Sequence, residues 1–217
     1  MIARTRLVLL VVGLVLLTAS PAMAGRWTAP DPTGDVTGWS YVPEPPPCGT
    51  YTDLDGSEVT QVDIRRLSLR HLRKEVRVRI HYRDLRATGE LQVSVTLRTP
   101  KRDYSLSLIR WEDGKKPHVD LTGAPDLSDA EPDECGSIAY GSIGFGCRGL
   151  VGKARPGLDR VDFRVPRACL RQPRRARVAA TTGGQVGDGW YSDTWAPAGV
   201  ETDWRVPTFG RWVRAPR

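Results

Sequence analysis

The sequence predicts an all-β chain folded as an antiparallel two-sheet β-sandwich of about seven to nine strands and closed by disulfides. Three observations carry that reading. Apolar and polar residues alternate across residues 75–97, where Val76, Val78, Ile80 and Tyr82, then Leu91, Val93, Val95 and Leu97, share one parity. Side chains on a strand point to opposite faces with a period of two, so each of these segments gives one face to a core and one to water, and the two are expected to pair with each other as a half-buried antiparallel hairpin. Turn-forming residues recur throughout, with no amphipathic helical repeat after the N-terminal stretch. Finally, there are four cysteines, an even number, and the chain carries an export signal.

That signal occupies residues 1–24. Arg4 and Arg6 precede an apolar run over 7–17 that ends at Ala22-Met23-Ala24, the three parts of a secretory leader. The apolar run is too short for a comfortable membrane span. Removing 24 of the 217 residues leaves 193, which suits one all-β domain, and removing two arginines lowers the formal net charge from +7 to +5. With no transmembrane segment after cleavage, the mature chain is expected in the extracellular space or cell envelope, as a monomer. A modest basic excess attracts anionic surfaces loosely, and an exported chain is not expected to meet nucleic acid.

Along the chain, residues 25–58 read as a Pro/Gly-rich N-terminal extension packed on the domain. Pro43, Pro45, Pro46 and Pro47 argue against a central strand there, and residues 52–57 read as a turn-rich loop. The sandwich domain is expected over 59–210. Its first strand changes phase: Val62 and Ile64 share one parity, and Leu67, Leu69 and His71 the other, so a β-bulge is expected at Arg65-Arg66. Arg73-Lys74 turns into the strand of residues 75–83. Residues 91–98 and 104–111 follow, then Glu112-Asp113-Gly114 as a hairpin turn and a return strand over 116–121. Residues 122–134 read as a long acidic loop.

A glycine-rich run over 137–151 and the alternating strand 160–165 are expected to pair across Pro156-Gly157. That pairing sets Cys147 and Cys169 at matching heights, giving a Cys147–Cys169 bridge and leaving Cys48 for Cys135. Residues 176–180 form a short strand, 183–199 a glycine-rich loop and 200–209 an edge strand, with 211–217 as a C-terminal tail.

Two groups of residues suggest binding chemistry. Asp31-Pro-Thr-Gly-Asp35, with Asp63 at the start of a strand and Asp193 late in the chain, gathers carboxylates of the kind Ca²⁺ requires, about six to eight oxygens at about 2.3–2.6 Å. Asp53, Asp55 and Glu58 are further acidic candidates, although Asp and Gly also serve as turn punctuation. Trp190, Tyr191 and Trp195 offer rings that stack on a sugar or plug one end of the sandwich. Arg70, Arg73, Arg77, Arg79 and Arg83 give the central hairpin a basic polar row, read first as a charged face that blocks edge pairing.

The order Asp31 to Asp35, Val62-Asp63-Ile64, the segment from His71 to Leu85 and Val165-Pro-Arg-x-Cys169-Leu resembles a group of uncharacterised secreted proteins of actinomycete-type bacteria. It is distantly similar to sandwich modules of the DOMON and carbohydrate-binding family 9 type. The family 9 resemblance implies bound calcium and a sugar held between rings.

Gly144-x-Gly146-x-x-Gly149 lacks the strand-to-helix setting of a nucleotide fingerprint. His71, His81 and His118 are the only histidines available to a hydrolase site, and no Gly-x-Ser-x-Gly elbow accompanies them. The reading is therefore an exported, non-catalytic binding or envelope-associated module, with calcium as its candidate cofactor and a glycan or cell-wall polymer as its candidate partner. An extracellular hydrolase with a His-centred site is the alternative.

Overall fold

A computed structural model describes residues 25–44, 46–124, 131–135, 142–202 and 206–216. The leader reading therefore lies outside the described residues, as do parts of the acidic loop, of the glycine-rich run and of the segment 200–209.

Thirteen strands fill the described chain. They are β1 (Gly25–Pro30), β2 (Thr37–Val42), β3 (Thr50–Asp55), β4 (Ile64–His71), β5 (Glu75–Tyr82), β6 (Leu91–Arg98) and β7 (Asp103–Arg110). After these come β8 (His118–Gly123), β9 (Val151–Arg155), β10 (Arg160–Pro166), β11 (Arg175–Val186), β12 (Gly189–Thr194) and β13 (Val213–Arg214). Among the described residues, a single 3₁₀ turn at Pro156–Leu158 is the only helix. The strands form a five-stranded sheet, β1-β4-β5-β10-β9, and an eight-stranded sheet, β3-β2-β12-β11-β6-β7-β8, with β13 paired to β11. All pairings are antiparallel.

Alternation explains the core. Val76, Val78, Ile80 and Tyr82 face Leu91, Val93, Val95 and Leu97 within one buried cluster, completed by Phe163 and Val161 of β10 and Leu106 and Leu108 of β7. The bulge falls where the phase change placed it, with the β4–β5 register shifting between Ile64 and Arg66. Both disulfides also form as expected: Cys147–Cys169, with Cα atoms 5.5 Å apart, and Cys48–Cys135 at 5.1 Å.

Four expectations are corrected. The segments 75–83 and 91–98 do not pair with each other: β5 pairs with β4 and β10 in one sheet and β6 with β7 and β11 in the other, so their apolar faces meet across the core instead. Residues 25–58 do not lie over the domain. They supply β1 to the edge of one sheet and β2 and β3 to the other, with β2 hydrogen-bonded on both flanks. Pro43, Pro46 and Pro47 fall between the strands rather than within the ladder, so they do not block it. The loop expected over 183–199 is instead the end of β11 followed by β12, because the glycines there make room for aromatic rings. A Cβ on Gly183 would stand 2.8 Å from the Trp190 ring, and one on Gly184 would stand 2.5 Å from the Glu90 carbonyl oxygen. The last strand is β13, in the segment read as a tail. Val213 is buried there, and its carbonyl oxygen accepts a bond from His71 Nδ1 at 3.2 Å.

Candidate functional site

The four aspartates lie at or near strand ends contributed by both sheets. Asp31 follows β1, Asp35 precedes β2, Asp63 precedes β4 and Asp193 lies on β12. A left-handed turn at Gly34, with φ of +79°, brings its N–H to Asp63 Oδ2 at 2.9 Å. Ala196 N–H donates to Asp31 Oδ1 at 2.8 Å and Ile64 N–H to Asp193 Oδ2 at 2.6 Å. Carboxylate oxygens of Asp31, Asp35 and Asp193 lie within 4.8 Å of one another, with one atom from each residue.

Asp31 is only 8% exposed and Asp63 fully buried, yet Asp31 Oδ2 and Asp63 Oδ1 have no donor. Burial pushes the Asp31 carboxyl up to about 8, and the charges of Asp193, Asp35 and Asp63 add to the shift against the bond from Ala196. Asp193 is pushed up to about 7, again chiefly by burial, and Asp35 is raised for the same first reason. Among the described residues the one cation paired with the group is Arg83, 3.6 Å from Asp63 Oδ2. Buried carboxylates without a counter-charge are unfavourable, and an all-oxygen set lacking Cys or His suits a hard divalent cation. The cluster opens on a cleft of about 400 Å³ lined by Asp35, Asp193, Thr37, Ser192 and Glu201.

The other candidates separate. Asp53 and Asp55 stand on β3, where Asp55 accepts the Ser57 N–H, and Glu58 is exposed. Trp195, expected as a ligand-stacking ring, is buried edge-on against Trp27 at 5.1 Å, with its indole N–H donated to the Pro30 carbonyl. Tyr191 points inward and covers Gly38, where a Cβ would meet its ring at 2.5 Å. Of the three rings only Trp190 is on the outer face.

The basic row is largely paired: Arg77 with Glu75, Arg79 with Asp162 at 2.8 Å and Arg83 with Asp63. His71, His81 and His118 lie on β4, β5 and β8, and His71 and His81 are at opposite ends of their hairpin. Phe145, within the glycine motif, packs on Tyr104 with ring centroids 5.9 Å apart.

Sequence reasoning missed Trp39, Tyr41 and Tyr51, which are exposed on β2 and β3. The Trp-x-Tyr alternation at 39–41 was the available signal, and the neighbouring prolines outweighed it.

Fold and site together define a disulfide-bonded antiparallel β-sandwich with a carboxylate cluster in which Asp31, Asp63 and Asp193 are buried and Asp35 is exposed. Comparison with family models, curated proteins and solved structures finds no match to this chain.

Proposed function

We propose that this protein is an exported, non-catalytic binding module of the cell envelope whose sandwich closes around one calcium ion at Asp31, Asp35, Asp63 and Asp193. The carrying observation is the convergence of these carboxylates with two buried oxygens left undonated. Asp31, Asp35 and Asp193 would supply the direct oxygens. Asp63, tied to Gly34, would hold the loop between Asp31 and Asp35 in place. Export is supported by the leader pattern and by two disulfides, which persist in oxidising compartments. Among the described residues, no helix is long and apolar enough to cross a membrane.

A ligand that binds only the folded state stabilises it. At about 100 times its Kd, calcium should add about 2.7 kcal/mol, or roughly 5–11 °C in melting temperature for a chain of this size. Melting in calcium and in chelator tests this, and coincident curves would remove the calcium reading. Terbium luminescence sensitised by Trp195 gives an independent measure of occupancy.

A further inference from the structure

We propose that the outer face of the five-stranded sheet is an electrostatic docking surface for an anionic lipid bilayer. Neither the aspartates nor their cleft takes part, so the surface is independent of the calcium reading. Strand register builds it. Arg26 of β1 lies opposite Arg70 of β4, Arg70 opposite Arg77 of β5, and Arg77 opposite Arg164 of β10, so one row of arginines crosses four strands. Two residues along each strand, where alternation returns to the same face, Arg79 and Lys153 flank Asp162. Arg66, Arg160 and Arg155 make a third row, with His81 between the first two. The alternate residues of these strands, among them Leu67, Leu69, Val78, Ile80 and Phe163, are buried, which puts the charged ones outside.

Nine Arg or Lys side chains therefore face one way. They are answered by Asp162, which pairs with Arg79, Arg155 and Arg160, and by Glu75, which pairs with Arg77. Arg26, Arg66, Arg70, Lys153 and Arg164 are exposed, without an acidic partner among the described residues. Like charges directly opposed across strands weaken a sheet. Nor do these arginines guard an open edge, because β4 and β5 are each paired on both flanks. His81 registers the crowding: it is held below its ordinary value first by burial and then by the charges of Arg79, Arg66 and Arg160, against Asp162.

An anionic partner turns this repulsion into attraction. The layout selects its form. The cations spread over five strands, about 20 Å at about 4.8 Å per strand, and over three rows rather than along a groove. No aromatic side chain shares those rows to stack on a base or a sugar. A linear polyanion engages one row, whereas a plane of phosphates meets all three, and basic clusters of this size bind anionic bilayers through the surface potential alone.

The mature protein would be sedimented with vesicles of phosphatidylcholine, with or without phosphatidylglycerol, in chelator. Binding should require phosphatidylglycerol. It should fall at least about tenfold as salt rises from about 0.1 to about 1 M and the Debye length shortens from about 10 to about 3 Å. Arg70→Glu combined with Arg164→Glu should weaken it about tenfold or more. Each new carboxylate stands opposite a remaining arginine, Arg26 or Arg77, so the variant keeps its fold. Arg86→Glu combined with Arg211→Glu makes the same change in net charge outside the five strands and should weaken binding about threefold at most. Equal losses in the two double variants would assign binding to overall charge and overturn the inference. Vesicle binding that needs calcium, or that ignores salt, also overturns it. So does native protein indifferent to phosphatidylglycerol vesicles, including the case in which soluble polyphosphate alone is bound.

Discussion

Replacing Asp31 with Asn should reverse its effect on stability according to whether calcium is present. The Asn side chain keeps the shape and an acceptor for the Ala196 N–H, held at 2.8 Å in the native protein, so the backbone connection survives. One buried charge is lost. Two unit charges 4.8 Å apart repel by about 3.5 kcal/mol at an effective dielectric constant of about 20. Proton uptake relieves part of that repulsion, as the raised Asp31 carboxyl indicates. In chelator the variant should therefore gain about 1–2 kcal/mol, or roughly 2–8 °C. In calcium the order inverts. Losing a direct ligand should weaken metal binding by at least about 100-fold, more than the loss of an outer-sphere partner. The stabilisation then falls from about 2.7 to about 0.4 kcal/mol at the same free calcium. Paired thermal melts of both proteins, with and without chelator, measure all four values. A variant less stable than the parent in both conditions would refute this reasoning and make Asp31 simply a hydrogen-bond acceptor.

Three further outcomes follow from the packing. Burial holds His71 below its ordinary 6.5, against the pull of its bond to Val213 and with help from Arg167. The unfolded chain therefore takes up the proton first, so this contribution is complete above about 6.5 and is lost as pH falls through the folded value. Urea unfolding from neutrality to about pH 5 should show a shallower acid slope for His71→Leu, and an equal slope would refute the assignment. Replacing Cys147 and Cys169 with Ser opens a loop of 22 residues and should cost about 3 kcal/mol, read as a lowered denaturation midpoint under oxidising conditions. Gly184→Ala drives a Cβ to 2.5 Å from the Glu90 backbone oxygen and should cost about 1–3 kcal/mol by chemical denaturation, whereas a neutral result would show that β11 and β6 can part there.

The hairpins β4–β5 and β6–β7 were legible because each joins neighbours in sequence and carries a two-residue rhythm, interrupted once in β4. The bulge was legible as a break in that rhythm. The aspartates could be named as a set, because carboxylates flanking strand starts point to one end of a sandwich. What escaped was the pairing of β2 with β12, in which Thr37 meets Ser192 across 155 residues. No local pattern records such a partner. Glycine misled for a related reason: Gly183, Gly184 and Gly189 read as loop, yet each lies within a strand and faces an atom that a side chain would strike. Trp190, Tyr191 and Trp195, close in sequence, fall on an outer face, an inner face and in the core, so they do not act as one set of rings, and the buried Trp195 matches the plug of the two readings.

Strand β3 ends the larger sheet, leaving one flank of its amides without a ladder partner among the described residues. A margin of this kind is a template for a foreign strand, and Tyr51 would add a sticky ring to the join. The side chains of Asp53 and Asp55, together with the Cys48–Cys135 tether beside the strand, act as a fence. Thiol reductants cut the tether, so reduction should turn a dispersed protein into filaments growing from that margin.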